Sequence, residues 1–185
     1  GWMIEMKNTK RLFLLGAVMA VMSSSAFADT TGTQTFTANI VANTCTIANL
    51  QQNVDLGNVQ KADYEKLTGW QSPASSPVIK VNFDVTGCGN GVTKVKVTPT
   101  FTGDSGVPRM VVNSGTAKDI YIDTAKLSNT DFDSKRAWNS GTAKEFTLTN
   151  GAVQVPVTGV LSSGAAAGIT AGTLDFRMSF TFDFA

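Results

Sequence analysis

Two cysteines are the only residues of this chain whose type and number point directly to covalent chemistry. The 185-residue sequence contains Cys45 and Cys88 and has no histidine. In an exported chain such a pair is expected to form a disulfide, whereas two buried free thiols would suit a cytosolic protein. The closed loop of roughly forty residues would stabilise the fold by about 4 kcal/mol in the chain-entropy model.

The missing histidine argues against catalysis, because histidine is the commonest general base and the usual metal ligand. Paired cysteines would also leave no thiolate nucleophile. Asp131 and Asp133 are spaced as in calcium loops, but the remaining ligands and the glycine are absent. Segment 87–91, GCGNG, lacks the lysine and the following helix of a phosphate-binding loop. We therefore expect no enzyme activity, no metal site and no cofactor.

The first residues predict export. A short basic segment, residues 7–11, precedes the apolar segment 12–22, and residues 26–28 read Ala-Phe-Ala, a small-x-small cleavage site. The apolar segment is too short to span a bilayer. We interpret residues 1–28 as upstream residues and a secretory signal peptide. The formal net charge of +1, with scattered basic residues, indicates no nucleic-acid or anionic-membrane partner.

The rest of the chain reads as a series of short strands separated by Gly, Asn, Asp, Ser and Pro. This spacing predicts an all-β sandwich of one domain. Only segment 61–67 could hold a helical turn or two. The predicted strands cover residues 33–47, 53–59, 78–85, 92–101, 109–113, 118–123, 144–149 and 152–161, and a last strand follows the small-residue loop 162–172.

The last strand has one strongly apolar face. From Leu174 to Phe184 every second residue is large and apolar, and the residues between them are polar or charged. An aromatic strand left as a free edge would be an aggregation hazard, so it needs neighbours on both sides. By alternation alone it could equally be an ordinary strand of a complete sandwich.

Several stretches, taken in order, resemble the pilin subunits of chaperone-usher fimbriae. They are ANIVANTCTI (38–47), VDLGNV (54–59), IKVNFDVTGC (79–88), VQVPV (153–157) and the glycine-rich loop that leads into the last strand. Gly172 is fourteenth from the C-terminus and Phe184 is penultimate, where such pilins carry a glycine and an aromatic residue. That aromatic residue is usually tyrosine, so Phe184 is a mild departure.

The resemblance implies an incomplete immunoglobulin-like β-sandwich that is completed by a donor strand from another subunit. A groove in the sandwich would accept first a strand of a periplasmic chaperone and then the extension of the next subunit, by strand addition. The residues implied to line this acceptor groove and to bind the chaperone are Gly172, Leu174, Phe176, Met178, Phe180, Phe182 and Phe184.

The resemblance also implies a donor. Residues 29–41 would be the N-terminal donor-strand extension and residues 42–185 the pilin domain. The side chains expected to enter the neighbour's groove are those of Gln34, Phe36, Ala38 and Ile40, on the same face as Gly32. Ala38 stands where the family usually has glycine. The segment is expected to have no partner in its own chain, because IVANTC contains no turn for a hairpin back to the groove.

Together these expectations describe a structural subunit of a bacterial surface fimbria. It would be exported through the periplasm, delivered to an outer-membrane usher, polymerised with copies of itself or other pilins, and contribute to cell adhesion. The alternative is a secreted single-domain module that recognises a host glycan or protein. Trp70 and Trp138 lie in polar surroundings, where a tryptophan can contact sugar, although packing over a sandwich end is the favoured interpretation.

Overall fold

The computed structural model of the protein describes residues 30–40, 45–165 and 168–185. The expected signal peptide lies outside these ranges. The strands are β1 (Thr30–Ile40), β2 (Thr46–Ala48), β3 (Gln51–Val59), β4 (Val78–Thr86), β5 (Lys94–Thr100), β6 (Met110–Val112), β7 (Ile120–Asp123), β8 (Lys144–Thr147), β9 (Val153–Ser163) and β10 (Asp175–Phe184). A one-turn helix, α1 (Lys61–Tyr64), and a 3-10 turn at Ser134–Arg136 complete the described elements.

The strands form two five-stranded sheets. One has the order β3-β1-β10-β5-β8 and the other the order β2-β4-β9-β7-β6. The alternation seen in the sequence sets which residues face inward, because successive side chains of a strand point to opposite faces. In β4, for example, Ile79, Val81, Phe83 and Val85 are buried and the residues between them are not. The predicted all-β, immunoglobulin-like sandwich is confirmed.

An aromatic cluster fills the centre of the sandwich. Phe180 of β10 lies 5.3 Å from Trp138, 5.4 Å from Phe83 and 6.3 Å from Phe36, measured between ring centroids. Phe182, which is also in β10, packs edge-on against Phe83. These contacts join both sheets and β1 into one core. Trp138, which was expected to pack over an end of the sandwich, is 1% exposed and lies within this central cluster.

Cys45 and Cys88 form the expected disulfide, with their Cα atoms 4.2 Å apart. Cys45 immediately precedes β2, and Cys88 lies two residues beyond the end of β4. These two strands pair antiparallel, with Thr46 opposite Thr86. The disulfide therefore fastens the entry of one strand to the exit of its neighbour.

The expectation that segment 29–41 has no partner in its own chain is wrong. Strand β1 lies inside a sheet, parallel to β10 and antiparallel to β3. The hairpin argument failed because it assumed that the chain can return to its own groove only through a hairpin turn within IVANTC. In the structure β1 and β2 belong to different sheets, so no hairpin turn is needed between them.

Candidate functional site: a strand groove

The site is the slot between β3 and β10 that β1 fills. We call it the strand groove and define it by β3 on one side, by residues 174–184 on the other, and by the core below. Within the sheet, β3 and β10 are joined only through β1. The backbone edges of β3 and β10 that face the groove therefore both form hydrogen bonds with the same strand, β1.

The β10 side of the groove is continuous and apolar. Phe184, at the end of the series, is half-buried. The other large side chains predicted to line the groove lie together on its inner face, namely Leu174 (0% exposed), Phe176 (0%), Met178 (3%), Phe180 (0%) and Phe182 (0%). A strand that lies against them removes their remaining apolar surface from water.

Gly172 has a different position from the one that the resemblance implied. It lies before β10, and an added Cβ atom would overlap the backbone nitrogen of Ala117. Thr173 and Thr116 exchange hydrogen bonds beside it, with the Thr173 amide donating to Thr116 Oγ1 at 2.8 Å. Only glycine allows this close approach of two backbones. Gly172 thus positions the start of β10 and is not part of the inner face.

Sequence reasoning missed the clamp that holds the entry to β10. The side-chain oxygen of Asn113 accepts hydrogen bonds from the amides of Gly115 and Asp175, at 3.0 and 2.7 Å. Its side-chain nitrogen donates to the carbonyls of Ala117 and Thr173, both at 2.9 Å. A single asparagine in a turn gives no sequence signal for contacts with a segment sixty residues away.

The β3 side was also missed. Leu56 is 4% exposed, and Val54 is half-buried on the same face. Gln52, two residues earlier, lies directly opposite Phe36 and donates hydrogen bonds from its side-chain nitrogen to the carbonyls of Asn49 and Asn82. The sequence predicted a strand over residues 53–59, but a weakly apolar strand does not reveal which neighbour it borders.

Strand β1 meets both sides along its length. Its parallel register with β10 runs from Thr33 opposite Asp175 to Ile40 opposite Phe182. The inward-facing residues whose side chains are described are Gly32, Gln34, Phe36 and Ala38, and here they lie in the groove of their own chain. The side chain of Ile40 lies outside the described residues.

The inner face of β1 fits the groove by size. A Cβ atom added to Gly32 would lie 2.8 Å from Leu174 Cβ and 3.2 Å from Leu56 Cδ1, so the two sides nearly meet there. Ala38, opposite Phe180, is 4% exposed, and its amide donates to the Leu50 carbonyl at 3.0 Å. Among the side chains of this face that the structure describes, Phe36 is the one that is large and apolar, and it is 1% exposed.

The groove carries no titratable side chain among the described residues that face it. Charged residues of β10 lie on the outer face, where Arg177 donates a hydrogen bond to the carboxylate of Asp175 at 2.9 Å. This hydrogen bond raises the pKa of the Arg177 guanidinium. Because the inner face is neutral, the interaction of β1 with the groove depends on shape, burial and backbone hydrogen bonds.

These features define the class of protein. It is an immunoglobulin-like β-sandwich in which the first described strand, β1, fills a groove beside the last strand, β10. No family model matches the sequence. Among curated proteins, the chain is 26% identical over 181 residues to Protein FimG of Escherichia coli (strain K12), covering 97% of this chain and 99% of that protein. FimG is a type 1 fimbrial subunit, and the resemblance to fimbrial subunits is thereby confirmed.

Among solved structures, the chain is similar to the Burkholderia pseudomallei antigen and type I fimbria protein BPSL1626. The sequence identity is 19% and the TM-score 0.43, over 84% of this chain and 95% of that one. Within the part of the chain that the structure describes, no helix is long and apolar enough to cross a membrane.

Proposed function

We propose that this protein is a structural subunit of a bacterial surface fimbria that polymerises by donor-strand exchange. In the assembled form, segment 29–41 of one subunit occupies the strand groove of the next. A periplasmic chaperone holds the groove during export, an outer-membrane usher delivers the subunit, and the filament contributes to cell adhesion. Similarity to a fimbrial subunit over nearly the whole chain supports the structural role.

The observation that carries this proposal is the position of β1. It is the first described strand and lies between β3 and β10, which have no other link within their sheet. Withdrawing β1 would open a slot with two unpaired backbone edges and an apolar floor. Such a slot accepts an extended strand, since backbone hydrogen bonds supply affinity and alternate side chains supply specificity.

The energetics favour a strong but displaceable strand. Burial of Phe36 contributes roughly 1.5–3 kcal/mol, and each ladder hydrogen bond adds about 1 kcal/mol net. Ordering the backbone of a free extension costs roughly 1–2 kcal/mol per residue. When one copy of the strand replaces another, the contacts are re-formed in the next subunit and the ordering term largely cancels.

Filament assembly tests the proposal. The full chain and a chain that begins at Thr44 should each be produced with the chaperone and usher and examined by electron microscopy. We expect filaments from the full chain and none from the shortened chain, although the shortened chain still folds with the chaperone. Filaments from the shortened chain would contradict donor-strand exchange.

Two single substitutions on neighbouring positions provide a matched control. Phe36→Ser removes the large apolar side chain described on the inner face of β1, and we expect it to block assembly. Thr37→Ser changes the adjacent position, whose side chain belongs to the opposite face, and should leave assembly unchanged. Equal effects of the two substitutions would show that the inner face has no special role.

A second candidate function, direct recognition of a host glycan or protein, is favoured by one surface groove. This groove has a volume of about 520 Å³ and is lined in part by Trp70, Phe132, Arg109 and Lys126. Phe132 is 49% exposed, and the Arg109 guanidinium carbon lies 4.8 Å from the centre of its ring. An exposed aromatic ring is suited to packing against the apolar face of a sugar.

The cations of this groove are held in place. Arg109 pairs through two hydrogen bonds with the buried carboxylate of Asp123. Lys126 donates to the Trp70 carbonyl at 3.0 Å, and burial lowers the pKa of its ammonium group. Phe132→Ala filaments should assemble normally and bind host cells less, whereas Val78→Ala, at the other exposed large apolar residue described, should not alter binding. Equal binding by both variants would eliminate this candidate.

A further inference from the structure

The inner face of β1 contains a buried amide with no partner. Gln34 is 0% exposed, and neither its side-chain nitrogen nor its side-chain oxygen has a hydrogen-bond partner among the described residues. Together with Thr33 Oγ1, these atoms make three of the four buried side-chain polar atoms that lack a partner in the described part of the chain. The unsatisfied groups are therefore concentrated on β1.

We propose that Gln34 keeps β1 releasable from the groove of its own chain. Its amide destabilises the form in which the protein fills its own groove, so that the strand leaves that groove more often and faster. This inference rests on the proposed function, since release matters for assembly only if the strand then enters another subunit.

The surroundings of Gln34 explain the destabilisation. In register, Gln34 lies opposite Phe176 of β10 and Val54 of β3. Phe176 is fully buried, and neither neighbour offers a polar side-chain atom. Water satisfies both ends of the amide while the strand is free, and insertion removes those hydrogen bonds without replacing them. An unpaired buried amide is a larger penalty than the mean gain of a formed hydrogen bond.

A second glutamine shows that the fold can satisfy such a group. Gln52 of β3 lies directly opposite Phe36 and is half-buried, and its side-chain nitrogen donates to the carbonyls of Asn49 and Asn82 at 3.2 and 3.0 Å. The two residues are of the same type, on adjacent strands and on the same face. Gln52 holds its strand against the other sheet, whereas Gln34 gains no such bond.

The same contrast sets the direction of each substitution. Gln34→Met keeps the length of the side chain and removes the unsatisfied amide, so the inserted strand should be held more firmly. Gln52→Met removes an amide that is bonded to two carbonyls and should weaken the domain. Gln34→Leu serves as a second apolar variant in case the methionine packs poorly.

Hydrogen exchange on the isolated full chain, followed by mass spectrometry, measures the release of β1 directly. We expect the amides of β1 to exchange roughly tenfold more slowly in Gln34→Met or Gln34→Leu than in the wild type. The melting temperature should rise by roughly 2–4 °C or more. Gln52→Met should not slow the exchange of β1 and should lower the melting temperature.

The proposal is overturned if both Gln34 variants leave the exchange of β1 unchanged or faster, or if slower exchange appears equally in Gln52→Met. A rise in melting temperature without slower exchange of β1 also overturns it, because the amide would then act on the whole domain. The hydrogen-exchange and melting-temperature measurements use the isolated monomer alone. Failure of donor-strand exchange would instead appear as filaments from the chain that begins at Thr44, so the two failures are distinguishable.

Discussion

β1 and β10 lie side by side in one sheet and both turn alternate residues inward, but the two inner faces differ in composition. From residue 174 to residue 182, β10 and the residue before it present a large apolar side chain at every inward position, each at most 3% exposed. At the four inward positions of β1 whose side chains the structure describes, the residues are a glycine, a glutamine, a phenylalanine and an alanine. Since stabilisation scales with apolar area removed from water, these four positions hold β1 less strongly than the matching positions hold β10. The difference suits a groove that is permanent and a strand that can be exchanged.

Among the substitutions that test this contrast, the removal of an aromatic ring from β10 should have the largest effect. Phe180 contacts the rings of Phe36, Phe83 and Trp138 and is fully buried. We expect Phe180→Ala to lower the free energy of unfolding by about 3–5 kcal/mol. The measurement is chemical denaturation of the full chain, followed by several probes. If all of the probes report the same single transition, the substitution affects the whole domain. A loss below about 1 kcal/mol would contradict a central role for this ring.

Removing the ring of β1 should have a smaller and more local effect. Phe36 is as buried as Phe180, but on the proposed function the strand leaves the groove without unfolding the rest of the sandwich, so Phe36→Ala should lose only the burial of the side chain, roughly 1.5–3 kcal/mol. Hydrogen exchange should therefore increase in β1 and in the edge strand β3, while β4 and β9 of the other sheet stay protected. Equal deprotection of all these strands would mean that β1 is not a separable unit.

The stability of the domain should depend on pH, whereas the release of a strand from the groove should not. Burial lowers the pKa of Lys144 to about 8 from its ordinary value of 10.5. Between these values the unfolded chain binds more protons than the folded one, so stability should rise as pH increases from about 8 towards 10. Burial also raises the pKa of Tyr64, which would lower stability only once tyrosine ionises in the unfolded chain, above about pH 10.

Thermal unfolding of the wild type and of Lys144→Met, recorded between about pH 7 and about pH 10, checks this dependence. In Lys144→Met, most of this increase in stability with pH should be absent. The groove faces no titratable group among the described residues, so the rate at which a bound strand leaves it should not change over the same range. A dissociation rate that follows the titration of Lys144 would contradict this separation.

The sequence predicted those parts of the fold that local patterns encode. Alternation from Leu174 to Phe184 identified the inner face of β10, and the two cysteines in an exported chain predicted their disulfide. The partner of β1 was not predictable in this way, because alternation specifies which face is buried and not which strand lies beside it. The contacts of Asn113 and the close approach at Gly172 join segments far apart in sequence, so only the folded chain reveals them.

The most direct test of the central claim uses the domain without its own strand. A chain that begins at Thr44, released from its chaperone, should be mixed with a free peptide of residues 29–41, and its melting temperature measured by circular dichroism. We expect the peptide to fill the strand groove and raise the melting temperature sharply, whereas a peptide carrying Ala38→Trp should not, because Ala38 is buried opposite Phe180 and an indole there would overpack the core. An unchanged melting temperature with the wild-type peptide would contradict the account of β1 as a strand that completes this fold in exchangeable form.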